Sequence, residues 1–431
     1  MSQAEDLFLL YGRSRIQLRL PQSADVTVVR KASLPRLVDP QGAIAAALAH
    51  PIGAAPLVEL ARGRSSACIL ICDVTRPVPN GLFLRQMIEG LMAGGLKREA
   101  ISVLVATGLH RPNLGDELAE LVGDPWVLEN VRVENHNARE EAAHVDLGRT
   151  RTRGTPVKLN RLFAEADLRI ATGLVEPHFM AGWSGGRKVV APGVAHHETI
   201  RTFHSARFME DPLAVQCNLV GNPLHEEQLE IARMLGELYA LNVVIDDERS
   251  LVFVSFGEIV ASHAAAVEFV SSATHIPLPR KFSTVVTSSA GYPLDKTYYQ
   301  TIKGMVTPLD VLEPGGTLII ASECSEGFGS KEFREAQTRL VALGQERFLA
   351  TLTAKTLADI DEWQTEMQLK SLRLGRIELY TSGLNAADRS ITGVHLVADL
   401  DAAVAASIAR SGDPAVAVIP EGPYVIPYHA G

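Results

Sequence analysis

Cysteine is scarce in this chain of 431 residues, with only four occurrences. So few thiols cannot staple a fold of this length, which excludes the small disulfide-rich secreted proteins. Cys68 and Cys72 lie four positions apart in an apolar run, a spacing that differs from the C-x-x-C pair of redox centres and zinc half-sites. We therefore favour buried thiols in a reducing cytosol over a redox pair or half of a zinc site.

Blocks of basic residues and long apolar runs are also missing. The formal net charge is −9, whereas a nucleic-acid binder needs clustered Lys and Arg that face phosphates. No apolar stretch approaches the roughly 18 residues that a membrane helix requires. The N-terminal segment lacks the basic start and apolar centre of a secretion signal. We expect a cytoplasmic protein without membrane or nucleic-acid partners.

Two nucleotide-binding signatures are absent as well. The segment SGGRK resembles an anion-binding turn, because glycines let backbone N–H groups approach a ligand, and it makes Ser184, Gly185 and Gly186 candidates for cofactor binding. It lacks the first glycine and the G-K-[ST] ending of a Walker A loop, which argues against ATP use. No G-x-G-x-x-G follows the first predicted strand, which argues against an NAD-type dehydrogenase.

Hydrophobic residues make up 46% of the chain, enough for two cores, because single cores stop growing well below this length. Short runs rich in Val and Ile alternate with helical segments, which predicts α/β domains with mainly parallel sheets flanked by helices. The Pro-containing segment HIPLPRK interrupts this alternation. We expect an N-terminal domain over residues 1–275 and a C-terminal domain over 276–431, with the active site in the cleft between them.

Ionisable side chains follow several of the predicted strands. The run CILIC is followed by Asp73 and Arg76, VLVATGL by His110, and RIATGLV by Glu176 and His178. Ligands of open parallel sheets bind beyond the carboxyl ends of the strands. These residues are therefore candidates for a single small-molecule site.

The stretch from residue 176 to residue 204 resembles the nickel-dependent lactate racemase family. The resemblance implies that Lys188 carries a nickel-pincer nucleotide, a pyridine mononucleotide bound to the lysine through a thioamide and supplied by cofactor-synthesis enzymes. It also implies that His204, which lies 16 residues after Lys188, is a nitrogen ligand of the nickel. His197 is the reserve ligand, because on one helix it would share a face with His204.

The resemblance extends to residues on both sides of this stretch. His110 and His178 match the two acid/base histidines of the family. Asp73 and Arg76, with Pro79, match a D-x-x-R-x-x-P arrangement in which the family uses the Asp for the cofactor ribose and the Arg for the substrate. These matches imply a catalytic role for the histidines and binding roles for Asp73 and Arg76.

The second predicted domain contributes three further matches. Gln300 and Lys303, within YYQTIKG, resemble the Gln and Lys that face the substrate in the family, and Trp363 stands at the spacing of its active-site tryptophan. Arg187 and Lys296 are extra cations that could meet a second substrate carboxylate. The resemblance covers roughly residues 70 to 365, so it includes motifs from both predicted domains.

The implied activity is racemisation of a 2-hydroxy acid, either lactate-like or malate-like. Two bases suit this chemistry, because either enantiomer can be the substrate, and histidine titrates near neutral pH. A gluconate-like sugar-acid 2-epimerase with the same cofactor is the alternative enzyme. A non-catalytic cofactor-binding homologue is the alternative of another class, but it would not need the histidine pair. A homo-oligomer is compatible with the sequence.

Overall fold

The structure is a computed structural model that describes residues 7–246 and 248–430. It consists of two compact units, which are described separately. The N-terminal unit comprises Ser33–Phe203 and Pro212–Ser271. The C-terminal unit comprises residues 7–32, His204–Asp211 and residues 272–430.

Strands are distributed along the whole described chain. In chain order they are β1 (Leu7–Tyr11), β2 (Ser14–Leu18), β3 (Asp25–Val28), β4 (Ala67–Cys72), β5 (Ile101–Ala106), β6 (Arg132–Asn135), β7 (His144–Arg149), β8 (Pro156–Asn160), β9 (Leu168–Leu174), β10 (Pro177–His178), β11 (Gly182–Trp183), β12 (Tyr239–Ile245), β13 (Leu251–Glu258), β14 (His275–Leu278), β15 (Phe282–Ser288), β16 (Leu312–Ala321), β17 (Arg376–Tyr380), β18 (His395–Val397), β19 (Ala415–Ile419) and β20 (Ile426–His429).

Helices fill most of the connections between these strands. They are α1 (Pro40–Ala49), α2 (Leu57–Leu60), α3 (Asn80–Ala93), α4 (Asp116–Val122), α5 (Pro125–Asn130), α6 (Arg161–Ala164), α7 (Gly186–Val190), α8 (His197–Phe203), α9 (Ala206–Met209), α10 (Pro223–Met234), α11 (Ile259–Thr274), α12 (Tyr298–Val306), α13 (Lys331–Leu343), α14 (Gln345–Thr353), α15 (Glu362–Leu374), α16 (Ala386–Ser390) and α17 (Leu400–Ser411).

The N-terminal unit is built on a six-stranded sheet of order β13-β12-β9-β4-β5-β6. All neighbours in it are parallel except β12 and β13, which pair antiparallel at one edge. The central strand β4, with the sequence ACILIC, is buried almost throughout, as expected for a strand covered on both faces. Helix α3 packs on the sheet through a stripe that includes Phe83, Met87 and Leu91, spaced one helical turn apart.

The topology of this sheet decides where a site can form. From β4 the chain continues to β5 and β6 on one side of the sheet, whereas β9 and β12 lie on the other side of β4. The strand order therefore reverses between β4 and β9, and a crevice opens beyond the carboxyl ends of strands at such a switch point. The residues that follow β4, β5 and β9 are thus brought to one edge of the sheet.

The C-terminal unit contains a second six-stranded sheet, of order β18-β17-β16-β15-β19-β3, in which all neighbours are parallel. The order reverses between β15 and β19, so the segment after β15, which leads into α12, lies at the switch point of this unit. The core includes Val286 of β15, Ile319 of β16 and Val418 of β19, which pack with Val404 of α17.

The predicted fold class, α/β with mainly parallel sheets flanked by helices, is confirmed. The two units differ in membership from the predicted domains 1–275 and 276–431. Residues 7–32 lie in the C-terminal unit, because β3 extends its sheet by parallel pairing with β19. Residues 204–211 lie there too, because Ala206 packs in a cluster with Phe348 and Leu369. Residues 1–6, 247 and 431 of the predicted domains are outside the described residues.

Candidate active site

Asp73 and His110 form a short hydrogen bond at the switch point of the N-terminal unit. Asp73 follows β4 directly, and His110 lies in the turn after the neighbouring strand β5. The Nδ1–H of His110 donates to Oδ2 of Asp73 at 2.6 Å, and Thr75 Oγ1 donates to Oδ1 at 2.6 Å. This geometry leaves the Nε2 lone pair of His110 available as a base on a ring that is 57% exposed.

Asp73 stays ionised in this environment. Burial raises the pKa of its carboxyl, but the hydrogen bond and positive charge of His110, the Thr75 hydroxyl and the charge of Arg76 together bring the pKa below its ordinary value. A carboxylate fixed against Nδ1 holds the imidazole in one orientation and stabilises the imidazolium that forms when Nε2 takes a proton. The described contacts of Asp73 are therefore those of a residue that orients His110, a role that the sequence comparison with the family did not suggest.

Arg76 follows the same strand and pairs with Glu176, which follows β9. Arg76 Nε lies 3.2 Å from Glu176 Oε1, and both side chains are about a quarter exposed. Because β4 and β9 are adjacent parallel strands, the pair joins the two sides of the switch point. The sequence placed Glu176 only among the residues that follow strands, and the structure gives it Arg76 as its partner.

His178 lies in a short two-stranded hairpin of β10 and β11, in which Pro177 pairs with Trp183 and His178 with Gly182. Its ring is buried, and Nδ1 accepts hydrogen bonds from the backbone N–H groups of Met180 at 3.3 Å and Ala181 at 3.1 Å. A ring nitrogen that accepts cannot also carry the proton. These bonds assign the proton of the neutral ring to Nε2, the reverse of the arrangement in His110.

Lys188 lies on α7, which packs against β9 and β4. The side chain is half-buried, and removal from water lowers the pKa of its amine to about 7, with the charges of Arg76 and Arg187 acting in the same direction. Cys72 and Glu176 act against this shift. Near neutral pH a large fraction of the Lys188 amine is therefore uncharged and able to act as a nucleophile.

The turn of Ser184, Gly185 and Gly186 is buried within the fold. Gly186 N–H donates to Asn242 Oδ1 at 2.9 Å, and Ser184 Oγ donates to the Leu174 carbonyl at 2.7 Å. Gly185 has φ +115°, and a Cβ built there would lie 2.7 Å from a ring carbon of His263. These contacts do not support the anion-binding interpretation, because the donors of Ser184 and Gly186 are used internally. The glycines are needed for close packing instead.

The two extra cations are also engaged elsewhere. Arg187 is 1% exposed, and its guanidinium donates to the backbone carbonyls of Ala181 and Trp183. Lys296 Nζ lies 2.5 Å from Glu326 Oε1. Arg187 is therefore not placed to meet a second substrate carboxylate, and Lys296 already has a carboxylate partner.

The C-terminal unit holds the remaining predicted residues. Gln300 and Lys303 lie one turn apart on α12, whose first turn is capped by the Thr297 side chain. Oε1 of Gln300 is buried and has no hydrogen-bond partner among the described residues. A buried acceptor without a hydrogen-bond partner is expected to receive a hydrogen bond from a ligand or from water.

His204 and Trp363 lie together in the C-terminal unit. Their ring centroids are 5.1 Å apart with an interplanar angle of 46°, and both side chains are buried to about 92%. Helix α8 begins at His197 and ends at Phe203, so His197 and His204 do not share a helix and belong to different units. His197 instead lies against His196, with centroids 4.1 Å apart.

The structure thus groups the predicted residues in two sets. Asp73, Arg76, His110, His178 and Lys188 belong to the N-terminal unit, and His204, Gln300, Lys303 and Trp363 to the C-terminal unit. Within residues 7–246 and 248–430, no three or more His, Cys, Asp or Glu side chains are arranged to hold a metal ion. In the same part of the chain, no helix has the length and apolar character needed to cross a membrane.

Comparison with protein families gives two matches that together cover most of the chain. The family model described as "Lactate racemase N-terminal domain" matches residues 11–216. The model described as "Lactate racemase C-terminal domain" matches residues 279–426.

Curated relatives and solved structures point in the same direction. The chain is 30% identical to a lactate racemase of Thermoanaerobacterium thermosaccharolyticum over 96% of its own length and 97% of the relative's. It is 32% identical to a lactate racemase of Lactiplantibacillus plantarum, with 90% of each chain covered. The lactate racemase apoprotein structure from T. thermosaccharolyticum superposes with a TM-score of 0.91 at 28% identity, covering 98% of this chain and 99% of that one. A Thermotoga maritima protein with a TM-score of 0.64 and 18% identity, covering 86% of this chain and 96% of its own, shares the fold.

Proposed function

The chain belongs to the lactate racemase family, a family of isomerases, and from this premise we propose that it interconverts the two enantiomers of a 2-hydroxy acid, lactate being the first to test. One observation carries the proposal: the charge of Arg76 acts both on Asp73, which is hydrogen-bonded to His110, and on the Lys188 amine, whose pKa is lowered to about 7. Such perturbed groups cluster at functional sites.

The difficulty of the reaction lies in the carbon that must be inverted. Its C–H proton is too weakly acidic for a side chain to remove, whereas moving the hydrogen as hydride avoids a carbanion. A base then needs to take only the hydroxyl proton. The flat 2-keto acid that results can take the hydride back on its other face while its oxygen takes back a proton from the protonated base, which completes the inversion.

The residues fit the nickel-pincer nucleotide that the family resemblance implies. Lys188 offers an uncharged amine for the covalent tether near neutral pH, and His204 offers one ring nitrogen for the metal. The unpartnered Gln300 Oε1 is consistent with a further ligand in the C-terminal unit. When bound, this group would supply the hydride acceptor.

Each polar residue then has a stated task. Nε2 of His110 takes the hydroxyl proton, while the Asp73 carboxylate stabilises the imidazolium. Arg76 binds the substrate carboxylate, with its guanidinium oriented by Glu176. Lys303 adds a second cation, and the Nε2–H of His178 donates to the substrate oxygen.

The experiment is an enantiomer assay on the protein produced together with cofactor-making enzymes and nickel. L-lactate and D-lactate are incubated separately, and chiral chromatography follows each. We expect both to approach a 1:1 mixture, with Lys188→Ala inactive and Lys97→Ala, a change at an exposed lysine of the same unit, fully active. Activity that survives Lys188→Ala would overturn the tethered-cofactor mechanism.

A substrate panel separates the remaining alternatives. Malate and a gluconate-like acid are assayed beside lactate on the same loaded protein. Conversion of the sugar acid alone would replace the racemase with a 2-epimerase. A loaded protein that converts none of them would reject the catalytic proposal in favour of a cofactor-binding homologue.

A further inference from the structure

Arg187 is a buried cation without a carboxylate partner among the described residues. It is 1% exposed, and its guanidinium donates to the carbonyl oxygens of Trp183 at 2.9 Å and Ala181 at 3.2 Å. Its NH1 lies 2.9 Å from His263 Nε2. Burial lowers the pKa of Arg187 to about 9. An apolar side chain of similar volume would fill this space without the desolvation penalty of a charge, so packing alone does not account for an arginine here.

The contacts of Arg187 converge on the hairpin that carries His178. Its two carbonyl acceptors belong to the residues around β11, and the carbonyl of Ser184, the next residue, lies 2.7 Å from Nε2 of His263. The carbonyls of residues 181 and 183 are thus held by Arg187, and the carbonyl of residue 184 is held by His263, whose Nε2–H donates to it.

The same segment determines which nitrogen of His178 carries the proton. The N–H of Ala181 donates to Nδ1 of His178, while the Ala181 carbonyl accepts from Arg187, so this residue is held on both sides. The N–H of Met180 donates to the same Nδ1. If residues 180 and 181 turned away, Nδ1 would lose both donors and could carry the proton itself.

We propose that Arg187 is a positioning residue, which, with His263, fixes the 180–184 segment so that His178 presents Nε2–H rather than a lone pair. This role rests on the proposed function, in which the Nε2–H of His178 donates to the substrate oxygen. It also makes the two histidines unequal: His110 is held as a base by Asp73, whereas His178 is held as a donor by backbone N–H groups.

A tautomer measurement tests this on the protein without cofactor. Histidine-selective ¹⁵N labelling distinguishes protonated from unprotonated ring nitrogens, and the spectrum of His178→Gln identifies the signals of His178. In the parent protein at neutral pH we expect Nε2 protonated and Nδ1 unprotonated. In Arg187→Met we expect a mixture of both tautomers.

Arg169 provides the matched control, because its guanidinium also donates to backbone carbonyls in the N-terminal unit, those of Ala164 and Ala166 at 3.0 Å each. Arg169→Met should leave the His178 signals unchanged. Should Arg187→Met fail to fold, Arg187→Lys keeps a buried cation that can reach fewer acceptors, and it should still show a partial tautomer shift. A folded Arg187 variant with unchanged His178 signals would overturn the proposal.

Kinetics of the loaded enzyme separate this failure from a failure of the proposed function. If lactate is racemised, Arg187→Met should lower kcat by about 10- to 100-fold, with KM changed much less. This is less than the roughly 10²- to 10⁴-fold contribution of a positioned acid/base group, because part of the population keeps the Nε2–H tautomer. Arg187→Lys should recover part of kcat. A tautomer shift without racemase activity in the parent protein would support the positioning role and reject the racemase. Unchanged kcat in Arg187→Met would contradict the role of the Nε2–H.

Discussion

Replacement of Asp73 by Asn isolates the role of one charge. The side chain keeps its size, and Oδ1 can still accept a hydrogen bond from His110, which lies 2.6 Å from the carboxylate in the parent protein. What is lost is the negative charge that stabilises the His110 imidazolium during proton transfer. The variant therefore tests whether Asp73 acts through His110, as its contacts indicate, or on the cofactor ribose, as the family resemblance implies.

The expected loss follows from the distance between the two charges and from solvent exposure. Charges about 4 Å apart interact by about 4 kcal/mol at an effective dielectric of about 20. His110 is 57% exposed, so water screens part of this attraction, and we take about 2–3 kcal/mol. That corresponds to a kcat lower by roughly 30- to 150-fold.

The assay measures kcat and cofactor loading on the same preparations. We expect Asp73→Asn to load normally and to lose kcat as stated, while Asp124→Asn, a change at the cap of α5, matches the parent protein. A kcat within about threefold of the parent would refute the orienting role. Poor loading of the cofactor, with a normal kcat per loaded molecule, would instead show that Asp73 acts by binding the cofactor.

Two further predictions concern groups with shifted pKa values. Because the pKa of Lys188 is lowered to about 7, an amine-acylating reagent should modify Lys188 half-maximally near pH 7 in the protein without cofactor. Ordinary lysines, with a pKa of about 10.4, should need a more alkaline medium for the same extent of modification. Peptide mass spectrometry at a series of pH values measures the modified fraction of each lysine. Burial and the charge of Glu210 raise the pKa of Glu366 from 4.5 to about 9. Between these two pH values the folded chain keeps a proton on Glu366 that the unfolded chain releases. The free energy of unfolding should therefore fall as the pH rises through this range. Glu366→Gln should flatten this slope in Tm measured from pH 5 to pH 9.

Local sequence patterns were sufficient to predict the positions of most of the parallel strands. The runs CILIC, ISVLVA and RIATGL correspond to β4, β5 and β9, because buried parallel strands appear as continuous apolar segments that differ from helices in length. Strand β3 was not predicted, and its membership of the C-terminal sheet depends on pairing with β19, nearly 400 positions later in the chain. Such a distant partner leaves no trace in local periodicity.

In the candidate site, too, the sequence predicted the features that depend on nearby residues and not those that depend on packing in the folded chain. Positions after strands correctly marked Asp73, Arg76 and Glu176 as neighbours at one sheet edge. The sequence favoured a ligand-binding role for the turn of Gly185 and Gly186, whereas the structure shows close packing there. A glycine required for close packing cannot be distinguished by sequence alone from one that admits a ligand. Arg187 was considered as a cation for a second substrate carboxylate, since its backbone carbonyl acceptors become visible only in the folded hairpin.

The mass of the peptide that contains Lys188, taken from protein produced with the cofactor-making enzymes and nickel, tests the central claim most directly. We expect an adduct of a few hundred daltons, the mass of a mononucleotide, on the Lys188 side chain. We also expect bound nickel that is lost in His204→Ala while the adduct stays. An unmodified Lys188 in a preparation that racemises lactate would contradict it.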